Sequence, residues 1–315
     1  MTEAAPPATA QPDDTAKQAV SGASWAAFAA FLLTWVAMIA CGGLPREGFW
    51  AILREPGGKL GLLAVVLWFL LRRPATFRFH RVSHRTLGLA ALCGLLNVPI
   101  SQGLNAAMLI PLHWVGAHFE SAEPYAAMTS PAGAALGVLL VLFGVVVEEL
   151  LFRGYALSRL EGLGPRVAVG LSAALFAASH MNFLMFPWAF ILGVYAATLV
   201  LKTGSLWPGL IAHGVGNVAG VLTQSFPELN RLITEGSIGA APHPMAWFAG
   251  SLAVSAVGLL ALRRLVGAVE PTRQLPAPTA SAARSAIERT PVLWVYGALL
   301  LAINVGIVVK LFRTH

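Results

Sequence analysis

Three short clusters in this sequence combine residue types able to move protons and stabilise charge. They are Glu148-Glu149-Leu-Leu-Phe-Arg153, Phe176-Ala-Ala-Ser-His180 and His213-Gly-Val-Gly-Asn217. Each lies in an otherwise apolar run, where ionisable groups are expensive and mark candidate functional sites. On an α-helix, with about 100° per residue, Arg153 stands about 40° from Glu149 but about 140° from Glu148. Glu149 and Arg153 therefore read as an i,i+4 ion pair with the glutamate first, the better order. Glu148 is left pointing elsewhere without a local partner, as suits an acid or base in a low-dielectric setting. His213 and Asn217 share one helix face by the same arithmetic, as do Phe176 and His180.

This set can hydrolyse an amide. Glu148 and His180 can activate a water, and His213 with Asn217 can donate hydrogen bonds to the oxyanion. Alternatively Glu148, His180 and His213 can hold a zinc ion that lowers the pKa of a bound water. The residues alone do not separate these two routes. Glu149, Arg153 and Phe176 read as supporting residues.

The elements that must position these groups are helices in lipid. Of 315 residues, 57% are hydrophobic and only 11% charged, and mean hydropathy is +0.72. A soluble domain carries about 25% charged residues, so a water-facing surface could not be covered. One helical span takes about 20 apolar residues, which allows about eight or nine spans. Apolar runs and breakers place them near 23–42, 57–71, 86–112, 131–157, 165–182, 184–201, 206–226, 245–265 and 291–311. The third, with Asn97, Pro99, Gln102 and Asn105, is expected to kink or to lie partly inside the bundle. The fold class is all-α, a polytopic transmembrane bundle. Residues 1–22 form a disordered cytoplasmic tail and 23–129 the N-terminal spans. The segment holding the three clusters is 130–226, followed by a span within 227–265, a linker at 266–290 and a final span within 291–315. Cys41 and Cys93 lie in apolar runs and read as inert thiols.

The formal charge of +7 would suggest nucleic acid as a partner in a soluble chain, but here the positive-inside rule accounts for it and no nucleic acid is expected. With the N-terminus in the cytoplasm, 15 Lys and Arg fall on the cytoplasmic side and 6 outside. His80 and His84, among arginines, read as a solvated cytoplasmic face, and His113, His118, Glu120 and Glu123 as an outer loop. Trp25, Trp50, Trp188, Trp207 and Trp294 fall near span ends, as interfacial anchors do. Arginine outnumbers lysine 17 to 4, in keeping with a GC-rich bacterial gene and an inner-membrane location. At 1.5 Å per residue, Glu148, His180 and His213 lie about 18, 22 and 13 Å from their span ends, all in the middle band of the bilayer.

EELLFRG (148–154), FAASH (176–180) and HGVGN (213–217) match EExxxR, FxxxH and HxxxN in order and in successive apolar spans. In this the chain resembles the CPBP family of intramembrane proteases (CAAX proteases and bacteriocin-processing enzymes, also called Abi), over about 130–225. The resemblance implies a helical intramembrane peptidase core. In it Glu148 and His180 activate water, His213 and Asn217 bind the oxyanion, and Glu149 and Arg153 support the site. The family is often called a metalloprotease, while a metal-free glutamate mechanism is also argued for it. The partners implied are the lipid bilayer and a membrane-associated protein or peptide substrate. A membrane transporter with a Glu/His proton relay, and a non-catalytic scaffold or immunity protein, are the competing readings. The internal repeats usual in transporters are not seen.

Overall fold

The computed structural model describes residues 12–42, 62–69, 71–72, 77–117, 131–224, 226, 228, 233, 243–273 and 280–313. Among them every regular element is helical, as the composition requires of chain in lipid, where each backbone group must be satisfied within its own segment. Helix α1 spans Pro12–Gly42, α2 His84–Trp114 and α3 Pro131–Glu149. Helix α3 continues through a π-helical segment, Leu150–Ala156, a further turn, Leu157–Leu160, and a 3₁₀ end at Glu161–Leu163. Then follow α4 (Pro165–Ala178), α5 (Phe186–Thr203), α6 (Trp207–Gln224), α7 (Pro244–Gly267), α8 (Ala280–Glu288) and α9 (Pro291–Arg313).

Five helices among the described residues are long and apolar enough to cross a membrane: His84–Trp114, Ala132–Leu163, Phe186–Thr203, Pro244–Gly267 and Pro291–Val309. The chain therefore reads as an integral membrane protein, with fewer candidate spans than the eight or nine expected. The physical reason is local in two cases. Helix α4 is only 14 residues long, about 21 Å at 1.5 Å per residue. In α6, four glycines, His213 and Asn217 dilute the apolar content. Helix α1 begins at Pro12, so residues 12–22 are helical rather than a disordered tail. The expected linker likewise holds a helix, α8. The expected second span, the 118–130 part of the outer loop and Trp50 lie wholly or partly outside the described residues.

Small residues set the distances between helices. Helix α2 buries one stripe, Ala90, Cys93, Gly94, Asn97, Ile100, Gly103, Ala106 and Ile110. It runs as one helix through Pro99 and Pro111, and of its polar residues Asn97 lies on the buried stripe. Gly94 lies directly on α6: a Cβ there would overlap the Ala212 carbonyl and sit 3.0 Å from the Gly216 nitrogen. Lower down, Gly103 meets Ser251 and Ser255 of α7, and Gly258 of α7 receives Ile100. This is the close backbone approach that small residues permit in membranes. Helix α1 packs an alanine-rich stripe, Ala16, Val20, Ala23, Ala27 and Ala30, on the end of α3 and on α8. Phe28 and Phe31 meet Tyr296 of α9 edge to face, with centroids 6.0 and 5.3 Å apart.

The Gly94 contact has backbone, not a movable side chain, on its far side. Gly94→Ala is expected to force α2 and α6 apart and destabilise the protein by about 1–3 kcal/mol. Thermal unfolding in detergent reads this directly, and an unchanged midpoint would show that the helices are not in contact there.

Candidate active site

The site forms where α3, α4, α5 and α6 meet. Glu149 is fully buried and pairs with Arg153 at 2.9 Å, both side chains without exposed surface. Glu149 Oε1 also lies 2.8 Å from His213 Nδ1, which donates to it. The other ring nitrogen, Nε2, faces Glu148 Oε2 at 3.6 Å and the Asn217 amide nitrogen at 3.1 Å. With the Nδ1 proton given to Glu149, Nε2 accepts from the Asn217 amide. The result is one polar chain, Arg153–Glu149–His213–Asn217, with Glu148 beside its imidazole. Glu148 thus does not stand without a partner, as its position on an ideal helix suggested; α6 supplies His213 from across the bundle.

Phe176 joins this chain to His180. The Arg153 guanidinium lies over the Phe176 ring, 4.2 Å from its centroid. The ring meets His180 and His213 edge to face at 5.0 and 5.5 Å. Phe176 is therefore both packing and a charge-facing wall, because the negative face of an aromatic ring attracts the cation. His180 closes α4: its Nδ1 donates to the Phe176 carbonyl at 3.1 Å, which leaves Nε2 as the basic ring nitrogen. Trp188 of α5 covers the same imidazole at 5.7 Å. Trp188 is thus a wall of the site and not an interfacial anchor.

The backbone carrying the glutamates is not an ordinary α-helix. Leu150–Ala156 is π-helical, and Leu157 N–H bonds back to the Phe152 carbonyl, five residues earlier. Such segments are rare and cluster at functional sites. The same carbonyl accepts from the buried Ser172 hydroxyl of α4 at 2.9 Å. On α6, Gly209 is what lets Glu149 fit: a Cβ there would sit 2.8 Å from Glu149 Oε2. After His180 the chain turns through Met181 at φ +56°, a left-handed conformation unusual for methionine. Asn304 of α9 holds that turn by accepting from Phe183 N–H at 2.6 Å. Ser172 and Asn304 carry no sequence signal of a role here. Asn304 in particular is 121 residues from its partner.

The zinc alternative requires three donors converging on one point. Among the described residues no three His, Cys, Asp or Glu side chains are so placed. The Nδ1 contacts of His213 with Glu149 and of His180 with the Phe176 carbonyl are ones a ligating histidine also makes. The test is therefore convergence, and Glu148, His180 and His213 do not converge as a three-donor set in this arrangement.

The Glu149–Arg153 pair is fully desolvated, so removing one partner leaves the other's charge buried and uncompensated. Arg153→Leu is expected to cost about 3–5 kcal/mol, read as a loss of folded protein in detergent at a fixed temperature. A change below about 1 kcal/mol, the range of exposed pairs, would contradict the burial described.

No curated protein and no solved structure matches the chain. A family model does match, over residues 129–219, and it is described as type II CAAX prenyl endopeptidase Rce1-like. The segment that holds Glu148, Glu149, Arg153, Phe176, His180, His213 and Asn217 thus carries the sequence pattern of an Rce1-like protease domain, consistent with the CPBP family.

Proposed function

We propose that the protein is an intramembrane endopeptidase that hydrolyses a peptide bond of a membrane-associated protein or peptide. The observation that carries this reading is the buried His213, set between Glu148 and Glu149 and bonded to Asn217. The Rce1-like match over the same residues supports it.

Charge counting gives the site its chemistry. Two carboxylates face one guanidinium, which leaves one negative charge in an apolar bundle where unpaired charge is costly. Glu149 is committed to Arg153 and to His213 Nδ1, so Glu148 is the carboxylate not locked into the Arg153 pair. It takes a proton from water as the water attacks the scissile carbonyl carbon, and returns it to the leaving amine. His180, oriented through Nδ1, assists with Nε2. Asn217 gives one amide hydrogen to His213, which leaves its second for the oxyanion. If Nε2 takes up a proton the Asn217 hydrogen is released from it, and His213 becomes a second oxyanion donor with Glu149 stabilising the imidazolium.

The substrate class follows from the setting. The groups lie inside an apolar bundle, so a scissile bond must be brought there by a membrane-embedded or lipid-tethered segment. The Lys and Arg distribution favours a cytoplasmic N-terminus in a bacterial inner membrane.

Glu148→Gln keeps shape and removes the base. Cleavage of a peptide substrate by the purified, folded variant is expected to fall by about 10²–10⁴-fold. Turnover at the wild-type rate would end the hydrolase reading. The wild-type protein is expected to keep its activity in strong chelator. Loss that zinc restores would instead revive a metal route.

A further inference from the structure

At the opposite end of the helices from the His243 start of α7, a cavity of about 550 Å³ opens between the segment leading into α2, the end of α5 and the end of α7. It is separate from the buried glutamates. Four arginines line it, Arg78, Arg81, Arg85 and Arg273, with Glu270 as the one acid among its lining residues. Glu161, just behind, holds Arg78 and takes Arg273 in a two-point contact at 2.8 and 3.3 Å. Arg85 meets Glu270 at 3.2 Å, with both side chains mostly exposed. Arg81 has no charged or hydrogen-bonding partner among the described residues. Counting Glu161 as well, four guanidinium groups face two carboxylates, an excess of two positive charges around one hollow.

The walls are built, not incidental. Lys202 Nζ donates to the carbonyls of Val266 and Val269 at 2.8 and 2.7 Å, and Thr272 N–H bonds to the Lys202 carbonyl at 2.8 Å. These contacts tie the 266–273 segment to the end of α5 and hold Arg273 in place. Across the hollow, Ser205 Oγ donates to the His80 carbonyl at 2.7 Å, and Leu206 N–H to the Arg78 carbonyl at 2.9 Å. These fix the arginine-bearing segment. Ser83 caps α2 by accepting from Thr86 N–H at 3.2 Å, and no acidic residue stands in the first turn of that helix.

The surroundings place this hollow at a membrane surface. Three apolar spans, α2, α5 and α7, end around it. Beside it Phe79 and Trp207 are both exposed and pack edge to face at 5.3 Å, as aromatic residues do at headgroup level. Arginine forks match phosphate oxygens in a way that a lone ammonium cannot. We propose that this pocket binds a phosphate-bearing anion, and that the headgroup of an anionic lipid is the source its position favours. What reads in the sequence as a solvated basic face is then a lipid-binding site apart from the catalytic cluster.

The test uses the full chain in neutral detergent, with binding followed by native mass spectrometry. The probes are short-chain phosphatidylglycerol, short-chain phosphatidylcholine and inorganic phosphate. Arg81→Gln and the double variant Arg81→Gln/Arg85→Gln remove charge without touching the Glu161 contacts. Arg284→Gln removes a charge on α8, away from the pocket, and unfolding midpoints check that every variant is folded. Saturable binding of phosphatidylglycerol, weaker by about tenfold or more in the double variant and unchanged in Arg284→Gln, is expected. If millimolar inorganic phosphate displaces the lipid and its own binding shows the same loss, free phosphate is the ligand. If it does not, the lipid is. Equal binding of the neutral lipid, equal binding by the folded double variant, or no saturable binding of either anion overturns the proposal.

Discussion

The structure around the site depends on one fully desolvated carboxylate. Glu149 cannot stay charged among apolar side chains unless its charge is met at contact distance, because the cost of an unpaired buried ion exceeds most single contributions to stability. Arg153 meets it from the next turn and His213 from a different helix. The second of these is the consequential one, because it fixes where α6 stands relative to α3. Gly209 and Gly216 follow from that constraint. The first admits the Glu149 carboxylate, and the second lets α2 close over the back of α6 through Gly94. Electrostatics and helix spacing are thus the same problem at this point of the bundle.

Much of this was legible because charge is so scarce in the chain. Glu148, Glu149 and Arg153 stand out against apolar neighbours, and the i,i+4 pairing of Glu149 with Arg153 follows from helix geometry alone. What was not legible depended on other helices. An ideal α-helix leaves Glu148 without a partner, whereas α6 brings His213 to it. His213 and Asn217 share a face, as their spacing requires, yet they bond to each other, so their donors are not both open. The π-helical turn has no composition signal. Its unusual backbone bond is supported by Ser172, a residue ordinary in every sequence sense.

Loop and helix ends show the same division. Helix α8 lies in an Ala-, Ser- and Arg-rich stretch that reads as a linker, because a short helix with little apolar content resembles one until α1 packs against it. Trp188 sits near a span end and has the composition of an anchor. The turn between α4 and α5 folds it onto His180 instead. In both cases local propensity was ambiguous and a tertiary contact decided.

The π segment at Leu150–Ala156 has one further consequence, for how the gene can vary. A π turn holds one residue more than the α turn it interrupts. Deleting a single residue there would leave length, hydropathy and helicity almost untouched. It would nevertheless rotate the two halves of the helix against each other by about 100°. The glutamates would swing away from His213 while Arg153 and the turn that follows it kept their places, or the reverse. Alignments that tolerate a gap at this point would pair chains alike in every bulk property and unlike in the only register that assembles the buried charges.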